Sequence, residues 1–153
     1  MIYITCQTGA SVEVDEQTLR GAKLNGLSLH RAVFECNDLA DTIFADADLR
    51  GALFTGAVLK RARFDRAKMM NAALDMADLE GAVLVDAKLI GADFSNANLR
   101  GANLGGADIG FAGFRCADLR GANMLCIRIE DAEFEGALFD EKTIFPDGFS
   151  LLR

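Results

Sequence analysis

The sequence predicts an all-β solenoid, and three observations carry that expectation. Every fifth residue from Leu24 to Phe139 is apolar, 24 positions filled by 12 Leu, 8 Phe, 2 Met and 2 Ile. Alanine stands two residues before 20 of those 24. A slower period of twenty then sorts the apolar residues by type. One series runs Leu19, Leu39, Leu59, Leu79, Leu99, Leu119, Phe139, and another runs Phe34, Phe54, Leu74, Phe94, Phe114, Phe134.

A period of five excludes the ordinary elements. A helix turns about 100° per residue, so successive apolar positions would wander around it. A straight strand alternates its faces, so an odd repeat sends successive apolar residues to opposite sides. What satisfies the pattern is a short wall with Ala and Leu/Phe pointing inward two residues apart, followed by a two-residue corner. The twenty-residue sorting means that four such units return the chain above its own start, with like side chains stacked about 4.8 Å apart. A coil of square section follows. The 25 centres from Leu19 to Phe139 make about six coils, a rod about 30 Å long.

In chain order, residues 1–18 form the first element, an N-terminal cap, because MIYIT and VEV alternate as short strands do. Residues 19–140 form the array. Leu27, Asn37, Thr42 and Ile127 replace the inward alanine. A larger or polar residue there is expected to point elsewhere or bulge the wall, leaving 45–124 as the regular part. Residues 141–153 form a C-terminal element, where Ile144, Phe145, Phe149, Leu151 and Leu152 surround the turn Pro146-Asp147-Gly148. This tail is expected to cap the last coil or to meet a second copy in a homodimer.

The repeats Ala47-Asp48-Leu49-Arg50-Gly51, Ala77-Asp78-Leu79-Glu80-Gly81 and Ala97-Asn98-Leu99-Arg100-Gly101 resemble the A(D/N)LXX signature of the pentapeptide repeat family, over about residues 19–140. The resemblance implies a right-handed quadrilateral β-helix. It also implies a protein without catalytic activity, since most members have no known biochemical activity. Some members resemble B-form DNA in width and charge, dimerise end to end through their C-termini and bind DNA gyrase, giving quinolone resistance or toxin protection.

Composition narrows the function further. A net charge of -7 and a pI near 4.7 disfavour direct nucleic-acid binding, which needs clustered cations. A basic belt of Lys60, Arg61, Arg63, Arg66 and Lys68 interrupts the acidity. The start lacks the features of a signal peptide and no run is long enough to span a bilayer, so a cytoplasmic protein without membrane contact is expected. Cys6, Cys36, Cys116 and Cys126 lack metal-ligand spacing. They are expected to be free thiols filling the core or its margin. His30 is alone and outward. In GGADIGFAG, Gly106 shares the corner register with Gly51, Gly81, Gly101 and Gly121, so these glycines read as turn residues and not as a phosphate loop. No cofactor, metal or catalytic set is expected.

Function must then lie outward. Asp38, Asp78, Asn98 and Asp118 form a partial acidic ladder beside Arg20, Lys60, Glu80, Arg100 and Arg120, which suits pairing between coils. Ile43, Val83 and Val85 on one wall, Met70 and Ile90 on the next and Phe111 at a corner are outward apolar residues. Glu130, Asp131, Glu133, Glu135, Asp140, Glu141 and Asp147 oppose Lys142 alone and make one end acidic. The leading expectation is a rigid protein-protein interaction scaffold. The alternative is a DNA mimic that binds DNA gyrase or topoisomerase, which the acidic end suits and the basic belt does not.

Overall fold

A computed structural model describes residues 1–151, and its architecture follows from where the backbone hydrogen bonds go. In the repeat Ala47–Gly51, the amide of Asp48 donates to Leu27 O in the preceding coil at 2.9 Å. Leu49 and Gly51 donate to Lys68 O and Met70 O in the following coil at 2.7 and 2.9 Å. Ala52 closes the corner on Leu49 O at 3.0 Å. Only the Arg50 amide lacks a backbone acceptor, and the Asp48 carboxylate takes it at 3.3 Å. The same bond from the residue before the centre recurs at Asp38, Asp78, Asp93, Asn98, Asn103, Asp108, Asp118 and Asn123. Asp or Asn therefore precedes so many centres because its side chain satisfies the one amide that the corner strands.

Residues preceding the centres pair in parallel at a spacing of twenty: Lys23 with Ile43, Ile43 with Arg63, Arg63 with Val83. Parallel series through Ser28, Val33 and Asp38 do the same. The chain is an all-β solenoid whose consecutive coils are each other's sheet neighbours. Each corner turns through a left-handed residue. All twenty-one positions from 21 to 121 in steps of five have positive φ, nine glycines and twelve other residues. Glycine adopts this geometry without strain, whereas Met76 (φ 57) and Phe111 (φ 58) do so at a cost of about 1–2 kcal/mol.

The core is a column of alanines and large centres, and from Phe34 to Met124 every centre is wholly shielded from solvent. Phe34 stacks on Phe54 with centroids 5.0 Å apart, and Phe44 on Phe64 at 5.0 Å. The two stacks meet edge to face at 5.6–5.9 Å. Both arrangements suit the aromatic quadrupole. Farther along, Phe94, Phe114 and Phe134 stack at 4.9 and 5.2 Å.

At the N-terminus β1 (Ile2–Thr5) and β2 (Ser11–Val14) form an antiparallel hairpin. Ile4, Cys6 and Val14 are buried against the core. The Val33 amide donates to Thr5 O at 2.8 Å and the Gln7 amide to Arg31 O at 2.9 Å. The hairpin thus covers part of the open edge of the first coil.

Two expectations need correction. Thr42 does not point elsewhere: it is fully buried in the alanine site, and its hydroxyl donates to Leu19 O at 2.6 Å. A threonine fits because it is small and a carbonyl lies in reach. Leu27 and Asn37 also leave the bridges beside them intact, so regular pairing starts at Lys23 and not near 45. The second correction concerns Cys36 and Cys116, which are exposed left-handed corner residues (φ 56 for both) and not fillers. Cys6 and Cys126 are the inward thiols. All four are free.

The array changes register at its C-terminal end. Asp108 pairs with Ile127, nineteen residues on, and Asn123 with Ile144, twenty-one on. Where isoleucine replaces alanine at 127, the chain advances by one and Cys126 turns inward, its thiol reaching Leu104 O at 3.3 Å. Burial pushes the Cys126 thiol up to about 12. Ile127 faces out. Arg128 takes a left-handed conformation (φ 56), a 3-10 turn spans Ile129–Asp131, and Ile129 re-enters the core.

Candidate interaction surfaces

The acidic ladder is largely committed to the fold. Asp38 accepts from the Ala40 amide at 3.1 Å and pairs with Arg20 at 3.3 Å. Asp78 accepts from the Glu80 amide and from Asn98 Nδ2 at 2.9 Å, and lies 3.3 Å from Lys60 Nζ. Asp118 holds Arg120 through two bonds of 2.9 and 2.6 Å. The Arg120 guanidinium keeps the Asp118 carboxyl below the usual carboxylate range.

The basic belt is also largely spent. Lys60 meets Glu80 at 2.9 Å, Arg61 grips Asp41 at 2.7 and 3.0 Å, Arg66 grips Asp46 at 2.8 Å twice, and Arg63 reaches Asp65 at 3.1 Å. The Arg61 and Arg66 pairs each join neighbouring coils, and their hydrogen bonds lower the Asp41 and Asp46 carboxyls. Glu80, ahead of Asp78, raises Lys60. Lys68 is the belt residue with no ion pair among the described residues. It is the bridge partner of Lys88. That like-charge stack escaped the sequence reading, although a separation of twenty was the signal for it.

The outward apolar residues do not form one patch. Ile43 and Val83 share a wall but Arg63 separates them as the bridge partner of both, with half-buried Val85 at the adjoining corner. Met70 and Ile90 are half-buried in one row, and Phe111 is 69% exposed.

At the acidic end Glu130 and Glu133 are exposed, and Glu135 pairs with Arg115 at 2.9 Å. Phe149 packs on Phe134 at 6.0 Å and on Phe145 at 5.3 Å, and Phe145 packs on Phe139 at 5.8 Å, so part of the tail folds back over the last two centres. Leu151 and Phe149 help line a cleft of about 430 Å³. Ile144 continues the Asn123 wall and is 50% exposed; Leu152 lies outside the described residues. Leu125, Ile127, Leu138 and Phe139 are exposed in the same region. Leu125 and Leu138 were not singled out from the sequence, whereas Ile127 was, as a missing alanine expected to point elsewhere, and it does face out. Among the described residues no group of three His, Cys, Asp or Glu could hold a metal ion, and no helix is long and apolar enough to cross a membrane.

A solenoid with a filled interior and a lattice of outward side chains defines a class of repeat proteins whose variable part is the surface. The pentapeptide repeat profile matches 8 copies within residues 18–51, 47–86, 77–110 and 87–124, so the chain belongs to the pentapeptide repeat family. Among solved structures it is similar to a pentapeptide repeat protein of the Arabidopsis thaliana thylakoid lumen, at 32% identity over 67% of this chain and 68% of that one, TM-score 0.47. It is also similar to trypsin-treated QnrB1, a plasmid-mediated fluoroquinolone resistance protein, at 19% identity over 84% and 86% of the two chains, TM-score 0.46. A third is HetL from the cyanobacterium Nostoc sp., involved in heterocyst differentiation regulation, at 22% identity over 80% and 78%, TM-score 0.37. No curated protein sequence matches the chain.

Proposed function

We propose that the protein is a non-catalytic, rigid protein-protein interaction scaffold of the cytoplasm. In this reading its coils are right-handed and four-walled, four pentapeptides to a coil and about six coils in all, closed by an N-terminal hairpin and a C-terminal tail. The observation that supports it is the unbroken backbone lattice from Lys23 to Asn123. Such a lattice holds each outward side chain in a fixed place and loses little conformational entropy on binding. The test is capture of partners from native lysate by the protein and by variants with reversed charge on one wall at a time. Capture lost by one wall's variant and retained by the others is expected; capture indifferent to every wall would sink the reading.

A DNA mimic directed at gyrase is the second reading. What favours it is the pairing of Lys60, Arg61, Arg63 and Arg66 with acids, which removes much of the positive interruption seen in the sequence. A gyrase supercoiling assay with and without a quinolone, combined with light scattering, tests it. Inhibition or protection by a dimer supports the mimic, and no effect at tens of micromolar, an order-of-magnitude ceiling for a specific contact, excludes it for gyrase.

A further inference from the structure

Among the described residues, Lys23, Arg31, Lys68, Lys88, Arg100 and Lys142 are the cations with no carboxylate in ion-pair range. Three of the six gather around one corner. Lys68 and Lys88 are both exposed and are consecutive bridge partners, so their backbones lie about 4.8 Å apart. Like charges placed opposite one another are unfavourable, and this fold sets no acid between them. Arg31 donates Nε to Gln7 Oε1 at 3.2 Å, which leaves its remaining N–H groups for another acceptor. Arg50 nearby is spent on Asp48, at 2.8 and 2.6 Å.

The same corner carries the apolar row of Met70 and Ile90, with exposed Phe111 one coil beyond. Beside it lies an open cleft of about 650 Å³, lined by His30, Arg31, Gly51, Leu53, Met70 and Asn71. Gly51 lines the cleft at φ 64, and a Cβ there would lie 3.3 Å from the Arg31 side chain. Asp48 and Asp108, the other bridge partners of Lys68 and Lys88, are held by Arg50 and Arg128, while Asp86 and Asp93, which form no ion pair among the described residues, lie on the adjoining corner and wall. Asp93 already accepts from the Ser95 amide at 2.9 Å.

We propose that this corner docks an extended acidic peptide segment of a protein partner, an inference that rests on the scaffold reading. Charge complementarity carries it. On a chain of net charge -7 the corner gathers cations that the fold leaves without carboxylates, and a peptide with Glu or Asp supplies them. Its apolar side chains settle on the surface of Leu53, Met70 and Ile90. From the coil of Arg31 to that of Lys88 is three coil spacings, about 14 Å, the reach of four or five extended residues. A nucleic-acid strand suits the corner less well, since phosphate-driven binding draws on roughly 6–10 contacts.

The test is fluorescence anisotropy with labelled hexapeptides covering every arrangement of three Glu and three Leu, beside the matching Lys/Leu set and a labelled oligo-dT strand. At least one acidic arrangement is expected to bind saturably and to weaken with salt. The double variant Lys68→Glu/Lys88→Glu should lose affinity at least tenfold and Met70→Ser about threefold, while Arg100→Glu stays within twofold, as expected when a few central contacts carry binding. The proposal is overturned if the Lys/Leu set or oligo-dT binds more tightly, if Arg100→Glu loses as much as the double variant, or if no acidic peptide binds. It is equally overturned if light scattering finds self-association that the double variant abolishes, for the corner then takes a second copy. Acidic peptide binding that survives Lys68→Glu/Lys88→Glu removes this corner and leaves the scaffold reading standing.

Discussion

Residues 23–123 and residues 124–140 are built from the same five-residue pattern, and they differ in how they absorb an error. In the first region every bridge spans twenty residues, and a wrong residue at the alanine site, such as Thr42, is fitted by a local hydrogen bond. In the second, Ile127 is turned outward instead, and spacings of nineteen and twenty-one appear. The difference lies in what stacks on each coil. A coil in the middle is held from both sides, and shifting it breaks the register of two neighbours. Near the end few coils follow, so a one-residue advance disturbs little and is pinned by one pair, Arg128 with Asp108 at 2.6 Å.

This contrast can be broken most forcefully in the core. Phe54→Ala, which removes a ring with one stacked and two edge contacts, should cost about 3–5 kcal/mol. Phe139→Ala, at a ring 42% exposed, should cost under about 1 kcal/mol. Urea midpoints decide it, and equal losses would mean that the end is as tightly determined as the middle. The alanine site is the next probe. Ala87→Leu is expected to destabilise by about 1–3 kcal/mol through overpacking, whereas Ile127→Ala, on a residue already turned outward, should stay within about 0.5 kcal/mol.

Corner strain gives a smaller and opposite effect. Met76→Gly relieves a left-handed methionine that is 61% exposed and should stabilise by about 1 kcal/mol. Arg128→Gly at the same φ should show no such gain, because it abandons the Asp108 carboxylate. Thermal melts of the two variants make the comparison.

The smallest effect is in acid. Asp41 and Asp46 are held by Arg61 and Arg66 below the ordinary aspartate value. Their contribution is therefore complete above about pH 4 and is lost as pH falls through the lower folded values. Asp41→Asn/Asp46→Asn should flatten the loss of stability below about pH 4. The change should be slight, since exposed pairs between coils add little.

Much of this was legible beforehand because a solenoid is a one-dimensional object. Which residues stack, which point inward and where the chain turns all follow from position modulo five and twenty, and the Phe34 series was visible on that basis alone. The Phe44–Phe64 stack and the Lys68–Lys88 stack lay in the same arithmetic and needed only a second and third reading frame.

Sequence by itself determined the repeat, the direction of most side chains in the array and the composition of the core, because neighbouring coils repeat one local geometry. Tertiary structure alone decided which charges cancel. A guanidinium on a long flexible stem can reach an acid in its own repeat, as Arg120 does, or one in the neighbouring coil, as Arg61 does, and spacing does not distinguish the two. It also decided how Ile127 is accommodated. That outcome rests on balancing an overfilled alanine site against a changed register, a competition between packing and backbone pairing that no periodicity records.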